Sequence, residues 1–465
     1  MTTKNYDIIV IGSGQGGKPL ATAAATSGRN TALIEKKYVG GSCINYGCTP
    51  TKTMVASARI AYLAQRAGEY GVEIPAVSVN MSKVRERKRS IVESWRNAGR
   101  KGLENTENLD LLFGTARFTD ARTIEVEQEG GNRLRLSAET IVINTGAKPV
   151  VAQITGLGEV GFLDSTAIME LDEVPQHLLI LGGGYIGLEF GQMFRRFGSQ
   201  VSIIQRGQQL LAREDPDVAE AVRQILQEEG IKIYLQSEAV KAEQLSEKQI
   251  VLTLKTADGE QRLSGSHLLI AAGRAPNSAE LNLEAAGVHS DQRGYIMVNE
   301  RLETNVPGIF AIGDVKPGPA FTHISYDDYR VLKTNLLENG KASIRSRLVP
   351  YTVFIDPQLG RVGLNETEAR RQGRNIRVAK LPMNHVARAL EANESRGFMK
   401  AIADADTGQI LGCAVLGMEG GEMMSMLQIA MMGGVTYPRL REAVFAHPTL
   451  AESLNNLFNS FQNES

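Results

Sequence analysis

The chain has 465 residues, and hydrophobic and charged residues make up 42% and 22% of them, as in an ordinary globular protein. This length predicts about three domains. Basic and acidic side chains number 51 and 52, so the net charge of −1 gives no indication of a nucleic-acid partner or a membrane surface. No apolar run reaches the ~20 residues that span a bilayer, and the first residues lack a signal-peptide pattern. We therefore expect a cytoplasmic protein with no membrane partner.

The N-terminal segment carries a dinucleotide-binding pattern. A buried strand is followed by Gly12, Gly14 and Gly17, then by an Ala-rich helix and a second strand that ends at Glu35. In this context the first Gly makes a tight turn, the second lets a pyrophosphate approach, and the third packs helix against strand. The helix N-terminus offers N–H groups to the phosphates, and Glu35 is placed to accept hydrogen bonds from ribose hydroxyls. The pattern predicts a first bound dinucleotide.

Two of the three cysteines, Cys43 and Cys48, follow this pattern directly. Pro50 lacks a backbone N–H, so we expect a loosened helical turn that brings the two sulfurs together, while Gly41 lets the chain come close to a ligand. A structural zinc site normally takes four ligands, so a single pair disfavours zinc. Cytosolic thiols are kept reduced, which disfavours a static disulfide. We interpret the pair as a redox dithiol and expect no metal site. Two buried, unreactive thiols remain the alternative.

A second dinucleotide pattern lies near the middle of the chain. An apolar strand precedes Gly182, Gly184 and Gly187, and a helix and another strand follow. The acid expected at the end of that strand is missing, and Gln205 and Arg206 stand in its place. An acid would repel a 2′-phosphate, whereas an arginine accommodates it, so the sequence favours NADP(H) over NAD(H). The alternative is an arginine that points at solvent.

Two dinucleotide sites in one chain imply two nucleotides, a flavin that stays bound and a nicotinamide that exchanges. Other strand ends carry glycine turns that suit cofactor contacts. An aspartate at one of them would meet a polyol or ribose hydroxyl, although an aspartate beside glycine also initiates turns. The candidate contacts at these strand ends are Thr145, Gly146, Gly273, Arg274, Gly313 and Asp314.

The C-terminal part, from about Pro350, reads as sheet strands followed by a Met-rich amphipathic helix over residues 421–432. We expect that helix to serve the core or a dimer interface, and we expect Cys413 to be a buried thiol in an apolar strand. Near the end, His447 has a carboxylate five residues on, at Glu452, which would orient its ring as a base. A lone terminal histidine is more commonly a surface residue.

Together these residues resemble the flavoprotein pyridine nucleotide-disulfide oxidoreductases, and the resemblance runs along the whole chain. Cys43 and Cys48, followed by Pro and Lys, are similar to the redox signature of that family. His447-Pro448-Thr449 with Glu452 is similar to its acid–base dyad, and Gly313-Asp314 to its second flavin-contact motif. The resemblance implies that Cys48 lies next to the flavin and that Cys43 attacks the substrate.

The resemblance also implies roles for other residues. Lys52 and Glu189 would form an ion pair beneath the flavin ring, and Tyr185 would gate the nicotinamide site. Gly41 and Ser42 would join the flavin contacts. The His447–Glu452 pair would reach the dithiol of the other subunit, so the working unit would be a homodimer with a shared active site.

The implied fold is α/β, with two Rossmann-like dinucleotide-binding domains, for FAD and NAD(P), and a C-terminal α+β dimerisation domain. We place the first part of the FAD-binding domain at 1–149 and the NAD(P)-binding domain at 150–273. Residues 274–346 would complete the FAD-binding domain, and 347–465 would form the interface domain.

The motifs combine features of two branches of the family. Residues 381–390, leading to 396–400, are similar to mercuric reductases, but those enzymes carry a C-terminal cysteine pair that is missing here and lack the histidine at 447. Dihydrolipoamide dehydrogenases keep this histidine, but they use NAD and usually carry an acid where Gln205 stands. Tyr46 and Thr49 match neither group closely.

We therefore expect an NAD(P)H-dependent flavoprotein that passes electrons through FAD to the Cys43–Cys48 disulfide and on to a small-molecule disulfide. A metal-ion reductase acting on Hg(II) or Cu(II) with the same dithiol is one alternative, and a dihydrolipoamide dehydrogenase is another. Two other classes of function are possible alternatives: a quinone or oxygen oxidoreductase with an idle dithiol, and a non-enzymatic scaffold. The acceptor, the use of metal ions as substrates and the role of Cys413 stay open at this point.

Overall fold

The computed structural model describes residues 3–463. They form two compact units. The first holds the chain up to Met54 together with Ser82–Val150 and Gly273–Arg347. The second holds Val55–Met81, Val151–Ala272 and the chain from Leu348 onward.

The described chain contains both β-strands and α-helices, which are numbered here in chain order. The strands are β1 (Thr3–Ile11), β2 (Thr31–Glu35), β3 (Leu109–Phe113), β4 (Thr115–Asp120), β5 (Thr123–Glu127), β6 (Arg133–Ile143), β7 (Ala147–Pro149), β8 (Phe162–Leu163), β9 (His177–Leu181), β10 (Gln200–Ile204), β11 (Lys232–Tyr234), β12 (Glu238–Ser246), β13 (Gln249–Thr256), β14 (Gly259–Gly265), β15 (His267–Ile270), β16 (Arg274–Pro276), β17 (Ile309–Ala311), β18 (Tyr351–Val353), β19 (Gln358–Gly363), β20 (Ile376–Pro382), β21 (Phe398–Asp404) and β22 (Ile410–Gly417). The α-helices are α1 (Gly17–Thr26), α2 (Gly41–Asn45), α3 (Cys48–Gln65), α4 (Met81–Glu104), α5 (Tyr185–Phe197), α6 (Pro216–Glu228), α7 (Thr322–Leu337), α8 (Glu366–Arg371), α9 (Ala387–Glu391), α10 (Gly420–Met432), α11 (Tyr437–Arg441) and α12 (Ser453–Asn459).

The first unit is built on a mixed sheet with β1 at its centre. Its parallel part has the order β3-β2-β1-β6 with β17 also on β6, and β5 and β4 extend it as antiparallel strands. Ile9 and Ile11 of β1 enter one core cluster, while Ile8 and Val10 enter another. Because successive side chains point to opposite faces and both faces are covered there, the second half of this strand, from Ile8 to Ile11, is a continuous apolar run.

The register of this sheet gathers three turns at one edge. Ile11 pairs with Ile143, and Ile143 pairs with Ala311, so β1, β6 and β17 end side by side. Ligands of parallel α/β sheets bind at the carboxyl ends of the strands. The turns that start at Gly12 and Gly313 therefore lie at the edge where the dinucleotide pattern predicts a cofactor.

The second unit contains another parallel sheet, of order β11-β10-β9-β15-β8. Leu181 at the end of β9 pairs with Ile204 at the end of β10 and with Ile270 at the end of β15. Gly182 and Gln205 thus leave the same edge of the sheet. An antiparallel sheet of order β12-β13-β14 follows.

The C-terminal part of the second unit is an antiparallel sheet of order β18-β19-β22-β21-β20, against which α10 packs. Cys413 in β22 is fully buried, as the sequence predicts. One side of α10 enters the core and the other is exposed. The core side chains of this helix include Met423, Met424 and Leu427, and its exposed apolar side chains are Met426, Ile429 and Met432.

These elements confirm the expected fold class, with two Rossmann-like parallel sheets and a C-terminal α+β part. The exact domain boundaries stay a prediction. Within residues 3–463, no helix is both long and apolar enough to cross a bilayer.

Candidate active site

The first glycine loop is too tightly packed for side chains at its key positions. Gly12 has a φ of +103°, and a Cβ there would lie 2.4 Å from the Asn144 carbonyl oxygen. A Cβ on Gly17 would lie 2.1 Å from the carbonyl oxygen of Gly12. The turn after β1 therefore packs directly against the end of β6 and the start of α1, as the sequence pattern predicts.

Glu35, at the end of β2, braces this loop. Its Oε2 accepts hydrogen bonds from the backbone N–H and the hydroxyl of Ser13, at 3.1 and 2.5 Å, and its Oε1 accepts from the Lys37 N–H at 2.9 Å. A carboxylate can accept about four hydrogen bonds, so these contacts leave capacity for a ribose hydroxyl. The ribose contact itself stays a prediction.

Helix α1 begins beside the loop without a capping side chain. In the described chain its N-cap, Gly16, makes no side-chain cap hydrogen bond, and its first turn contains no acid. The first N–H groups of a helix have no partner inside it and attract a phosphate. Gly41 approaches the same loop so closely that a Cβ on it would lie 2.7 Å from the Gly14 Cα. This cradle fits the pyrophosphate of FAD and holds the cysteine-bearing segment against it.

The turn after β6 is tied to the strand β16. Thr145 Oγ1 donates to the Asn277 carbonyl at 2.8 Å, and Asn277 Nδ2 donates back to the Thr145 carbonyl at 2.9 Å. Gly146 and Gly273 adopt φ values of +69° and +128°, which favour glycine. Arg274 begins β16, which pairs with β7. These residues therefore lie together in the first unit.

The Gly313–Asp314 turn is held by a buried charge cluster. Gly313 donates its N–H to Asp328 Oδ2 at 2.9 Å, and Lys316 Nζ lies 3.2 Å from the same oxygen. Asp328 is fully buried and Lys316 nearly so. Burial raises the pKa of the Asp314 carboxyl, while the charges of Arg274 and Lys316 act in the opposite direction. Sequence reasoning missed Asp328 and Lys316.

The two cysteines lie on separate helices, which corrects the expected single loosened turn. Cys43 belongs to α2, which ends at Asn45, and Cys48 is the first residue of α3. Pro50 lies in the first turn of α3, where its N–H would have had no helical partner. It therefore suits a helix start and loosens nothing. The carbonyl of Ser42 accepts from the Tyr46 N–H at 2.8 Å and closes α2.

The sulfurs nevertheless come together. Cys48 is exposed and Cys43 is half-buried, and both sulfurs are present as thiols. The pKa of Cys43 is raised above its usual value, first by a hydrogen bond with Cys48 and then by burial. The Thr322 hydroxyl and the charge of Lys52 act in the opposite direction. Two groups that interact so strongly titrate as a pair, so the dithiol carries one negative charge before it carries two.

A second network that sequence reasoning missed anchors the helix that carries Cys43. Asn45 Nδ2 donates to the carbonyls of Val39 and Gly41 at 3.0 and 2.9 Å. Arg96 Nε donates to Asn45 Oδ1 at 2.7 Å, and its guanidinium lies 4.0 Å from the centre of the Tyr38 ring. The short α2 is therefore fixed from α4 as well as by its own turn.

Lys52 and Glu189 lie in different units. Lys52 is half-buried on α3. Glu189 is buried on α5, and its Oε1 accepts from the Phe354 N–H at 2.9 Å. Their ion pair stays a prediction.

The second glycine loop repeats the geometry of the first. Gly182 has a φ of +118°, and a Cβ there would lie 2.4 Å from the Ala271 carbonyl oxygen. A Cβ on Gly187 would lie 2.1 Å from the carbonyl oxygen of Gly182. Gly184 is the N-cap of α5, which begins at Tyr185, and in the described chain no side chain caps it and no acid lies in its first turn. This site also fits a pyrophosphate.

The end of β10 carries no carboxylate. Gln205 Oε1 accepts from the Gly183 N–H at 2.9 Å. The side chain of Arg206 is 83% exposed, and its Nη1 lies 3.7 Å from Glu238 Oε1. A 2′-phosphate would meet no negative charge from Gln205 and would find a cation at Arg206.

His447 and Glu452 pair as expected. His447 Nδ1 lies 2.8 Å from Oε2 and 3.1 Å from Oε1 of Glu452, and 67% of the His447 side chain is exposed. A carboxylate on Nδ1 fixes the ring so that Nε2 is the nitrogen that exchanges a proton. Among residues 3–463, no group of three or more His, Cys, Asp or Glu side chains could hold a metal ion.

Comparisons with known proteins place the chain in a family. Residues 6–328 match the family described as pyridine nucleotide-disulphide oxidoreductase, and residues 349–458 match the dimerisation domain of that family. The chain is 39% identical over 457 residues to the probable pyridine nucleotide-disulfide oxidoreductase RclA of Escherichia coli, covering 97% of this chain and 98% of that protein. It is 34% identical to the mercuric reductase of Lysinibacillus sphaericus, covering 97% of this chain and 81% of the relative.

Other relatives and solved structures agree. The dihydrolipoyl dehydrogenase of Thermus scotoductus is 35% identical, with 97% of this chain and 96% of the relative covered. The solved structure of the HOCl-induced flavoprotein disulfide reductase RclA from Escherichia coli is 39% identical and superposes with a TM-score of 0.88 over 98% of this chain and 99% of that one. Its Cu(II) complex gives 38% identity and a TM-score of 0.89, with 99% of both chains covered. The chain therefore belongs to the pyridine nucleotide-disulphide oxidoreductases, flavoprotein enzymes that use FAD and a pyridine nucleotide.

Proposed function

We propose that the protein is an NAD(P)H:disulfide oxidoreductase whose Cys43–Cys48 pair passes electrons from FAD to a small-molecule disulfide. The observation that carries the proposal is the contact between the cysteine segment and the first glycine loop, where a Cβ on Gly41 would lie 2.7 Å from the Gly14 Cα. A dithiol held against a flavin cradle supports an electron path from cofactor to sulfur. When bound, FAD supplies the transfer of two electrons between the nicotinamide and the dithiol.

The chain's own residues account for the sulfur chemistry. The Cys43 thiolate attacks one sulfur of the acceptor disulfide and releases the first thiolate product. The Cys48 thiolate then attacks Cys43 Sγ, releases the second product and closes the Cys43–Cys48 disulfide. Two protons reach the two products, so one disulfide is reduced for each dithiol oxidised. Because Cys43 starts with a raised pKa, a base is needed to take its proton.

We assign the role of this base to His447 of the partner subunit, whose ring Glu452 orients. The dimerisation domain over residues 349–458 supports a homodimer. The exposed side chain of His447 suits a group that acts outside its own chain. In this arrangement Lys52 and Glu189 would pair beneath the flavin, and Tyr185 would cover the nicotinamide site.

We infer that NADP(H) is preferred over NAD(H). This inference rests on the missing acid at the end of β10 and on the exposed Arg206. The FAD contacts would come from Gly12, Gly14, Gly17, Glu35, Gly41, Ser42, Lys52, Thr145, Gly146, Gly273, Arg274, Gly313 and Asp314, and the NADP(H) contacts from Gly182, Gly184, Tyr185, Gly187 and Arg206.

The test is turnover in a Cys48→Ser variant that keeps its FAD. We expect NADPH-dependent disulfide reduction to disappear, because the mixed disulfide at Cys43 can no longer be resolved. Cys413→Ala is the matched control, since Cys413 is a thiol buried in β22. Unchanged turnover in Cys48→Ser would reject the relay and favour a quinone or oxygen reductase with an idle dithiol.

A metal-ion reductase is the second candidate. The solved relative RclA forms a Cu(II) complex, and mercuric reductases are 34% identical to this chain. Exposed Cys48 and half-buried Cys43 are soft ligands that suit such ions. Two Cu(II) ions would each take one electron from the dithiol, leaving two Cu(I), one disulfide and two protons.

An acceptor screen separates the candidates. Oxidation of NADPH and of NADH is followed separately with glutathione disulfide, lipoamide, Cu(II) and Hg(II). Faster turnover with a disulfide supports the first proposal, and lipoamide as the best acceptor would define a dihydrolipoamide dehydrogenase. Faster, Cys48-dependent turnover with a metal ion supports the second candidate.

A further inference from the structure

The hydroxyl of Thr322 lies beside the redox dithiol. Its Oγ1 is 3.4 Å from Cys48 Sγ, although 274 residues separate the two in sequence. Both residues belong to the first compact unit. Thr322 is the first residue of α7, a helix of 16 residues, and it is half-buried. A hydroxyl in direct contact with a reacting sulfur is a candidate for a chemical role.

The ionisation state of the dithiol decides which atom donates. Between a thiol and a hydroxyl, either group can be the donor. Once the sulfur is a thiolate it can only accept, so the hydroxyl must donate, and the hydrogen bond becomes charge-assisted. Such a bond is stronger than its neutral counterpart, so it lowers the pKa of the sulfur that receives it. The contact therefore favours one thiolate in the reduced dithiol.

We propose that Thr322 is a further catalytic residue, whose hydroxyl donates a hydrogen bond to the single thiolate of the reduced dithiol and holds that charge on Cys48. The proposal rests on the proposed function, because it assigns a role within the same redox site. It adds a residue that the cysteine motif does not contain.

The titration of the neighbouring thiol supports this assignment. The pKa of Cys43 is raised, first by its hydrogen bond with Cys48, while the Thr322 hydroxyl lowers it. The same hydroxyl is therefore within reach of both sulfurs. It has one proton to donate, so it stabilises one thiolate at a time, first on Cys48 and then on Cys43 when Cys43 attacks.

Other charged and titratable groups lie near the dithiol and set the background of any pH measurement. Cys43 approaches from α2 and Lys52 from α3. His323 follows Thr322 on α7, and His447 of the partner subunit is the proposed base. The N-terminal end of α7 also favours an anion, whatever side chain stands there. A useful variant must remove the hydroxyl and leave all these groups in place.

Thr322→Val meets this requirement, because valine has nearly the shape of threonine without the hydroxyl. Thr322→Ser keeps the hydroxyl and loses only the methyl group. Thr334→Val, on the same helix with its hydroxyl 3.2 Å from Glu338 Oε2, is the matched control. The reduced, FAD-containing proteins are alkylated with iodoacetamide over a range of pH, and peptide mapping assigns the reaction to Cys48 or Cys43.

We expect Thr322→Val to raise the pH midpoint of Cys48 alkylation by about one pH unit, a tenfold change in ionisation constant. Thr322→Ser and Thr334→Val should match the wild type. A Thr322→Val midpoint equal to that of the wild type would overturn the proposal. An equal shift in Thr322→Ser would also overturn it, because the cause would then be packing and not the hydroxyl.

Circular dichroism and retained FAD show whether Thr322→Val is folded, and Thr322→Ala provides a second hydroxyl-free variant if it is not. The outcome is separable from the proposed function. If Cys48→Ser abolishes disulfide turnover and Thr322→Val leaves the midpoint unchanged, only the role of Thr322 fails. If Cys48→Ser leaves turnover intact, the relay itself fails whatever the alkylation shows.

Discussion

Gln205 Oε1 accepts the backbone N–H of Gly183 at 2.9 Å. Glu35 makes the equivalent contact in the first unit, where its Oε2 accepts the N–H of Ser13 at 3.1 Å. Both acceptors stand 23 positions after the first Gly of their loop. A neutral amide thus braces the second loop in the way that a carboxylate braces the first. The second site keeps the loop geometry without the negative charge that would repel a 2′-phosphate.

This relationship makes Gln205→Glu a test of nucleotide choice. Glutamate can still accept the Gly183 N–H, so the loop should stay braced while a charge is added. We expect kcat/KM for NADPH to fall by roughly tenfold, or about 1.4 kcal/mol, and that for NADH to stay level or rise. Steady-state kinetics with both nucleotides measure the change.

Arg206→Gln is the companion variant, because it removes the exposed cation and leaves the brace untouched. It should weaken NADPH use more at low salt than at high salt, since exposed charges are screened. Equal losses with NADPH and NADH in both variants would contradict the assignment and point to a damaged loop.

Sequence patterns predicted the parts of the site that depend on local sterics. Gly17 and Gly187 are required because a Cβ would strike the backbone at the start of the same loop, and that demand is visible in the spacing. A Cβ on Gly12 or Gly182 would strike the backbone just after a neighbouring strand of the sheet, but the positive φ of these two residues already favours glycine locally. The cysteine pair was also found, but Pro50 was misinterpreted. A proline in the first helical turn and one in a helix interior look alike until the start of the helix is known.

The missed residues depend on contacts between distant segments. Thr322 meets Cys48, and Asp328 meets Gly313, through the packing of α7 against the sheet edge. Thr322 begins a helix whose sequence shows no chemical motif. The one signal for Asp328 in the sequence is its position on the side of α7 that otherwise carries apolar residues. This signal alone does not distinguish a buried aspartate from an exposed one.

Asp328 should prove necessary for FAD retention. It is fully buried, accepts the Gly313 N–H and pairs with Lys316 at 3.2 Å. Asp328→Asn keeps the shape of the side chain but leaves the Lys316 ammonium without this anion. Breaking a buried ion pair lowers the free energy of unfolding by about 3 kcal/mol. We expect weaker FAD binding on reconstitution and a lower urea midpoint. Asp258→Asn, in an exposed turn, should change both much less; equal effects would show that the cluster does not act on the turn.

The free energy of unfolding should fall in acid because Asp215, in the second unit, becomes protonated. Burial opposes ionisation of this carboxyl, but hydrogen bonds from Thr367, from the Glu366 N–H and from Lys400 lower its pKa to about 2. A folded-state pKa below the unfolded value gives stability that is complete above about pH 4 and is lost as the pH falls toward 2.

Asp215→Asn should therefore be less stable at neutral pH, by on the order of 1–2 kcal/mol, and should lose less stability between pH 4 and pH 2. Denaturant unfolding at a series of pH values gives both quantities. Asp258→Asn, in an exposed turn, should follow the wild-type curve. Parallel curves for Asp215→Asn and the wild type would assign the acid sensitivity to other carboxylates.

A shared active site should be revealed by mixing two inactive proteins. Cys43→Ser lacks the attacking sulfur, and His447→Gln lacks the proposed base, so each homodimer should be nearly inactive toward a disulfide. In a hybrid dimer, the intact dithiol of one subunit faces the intact histidine of the other. Random subunit exchange makes half of the dimers hybrid, each with one working site of two, so about one quarter of wild-type activity should return. If each subunit used its own His447, a hybrid would contain no complete site and mixing would restore nothing; His447→Gln alone should slow reduction of the acceptor far more than reduction of the flavin.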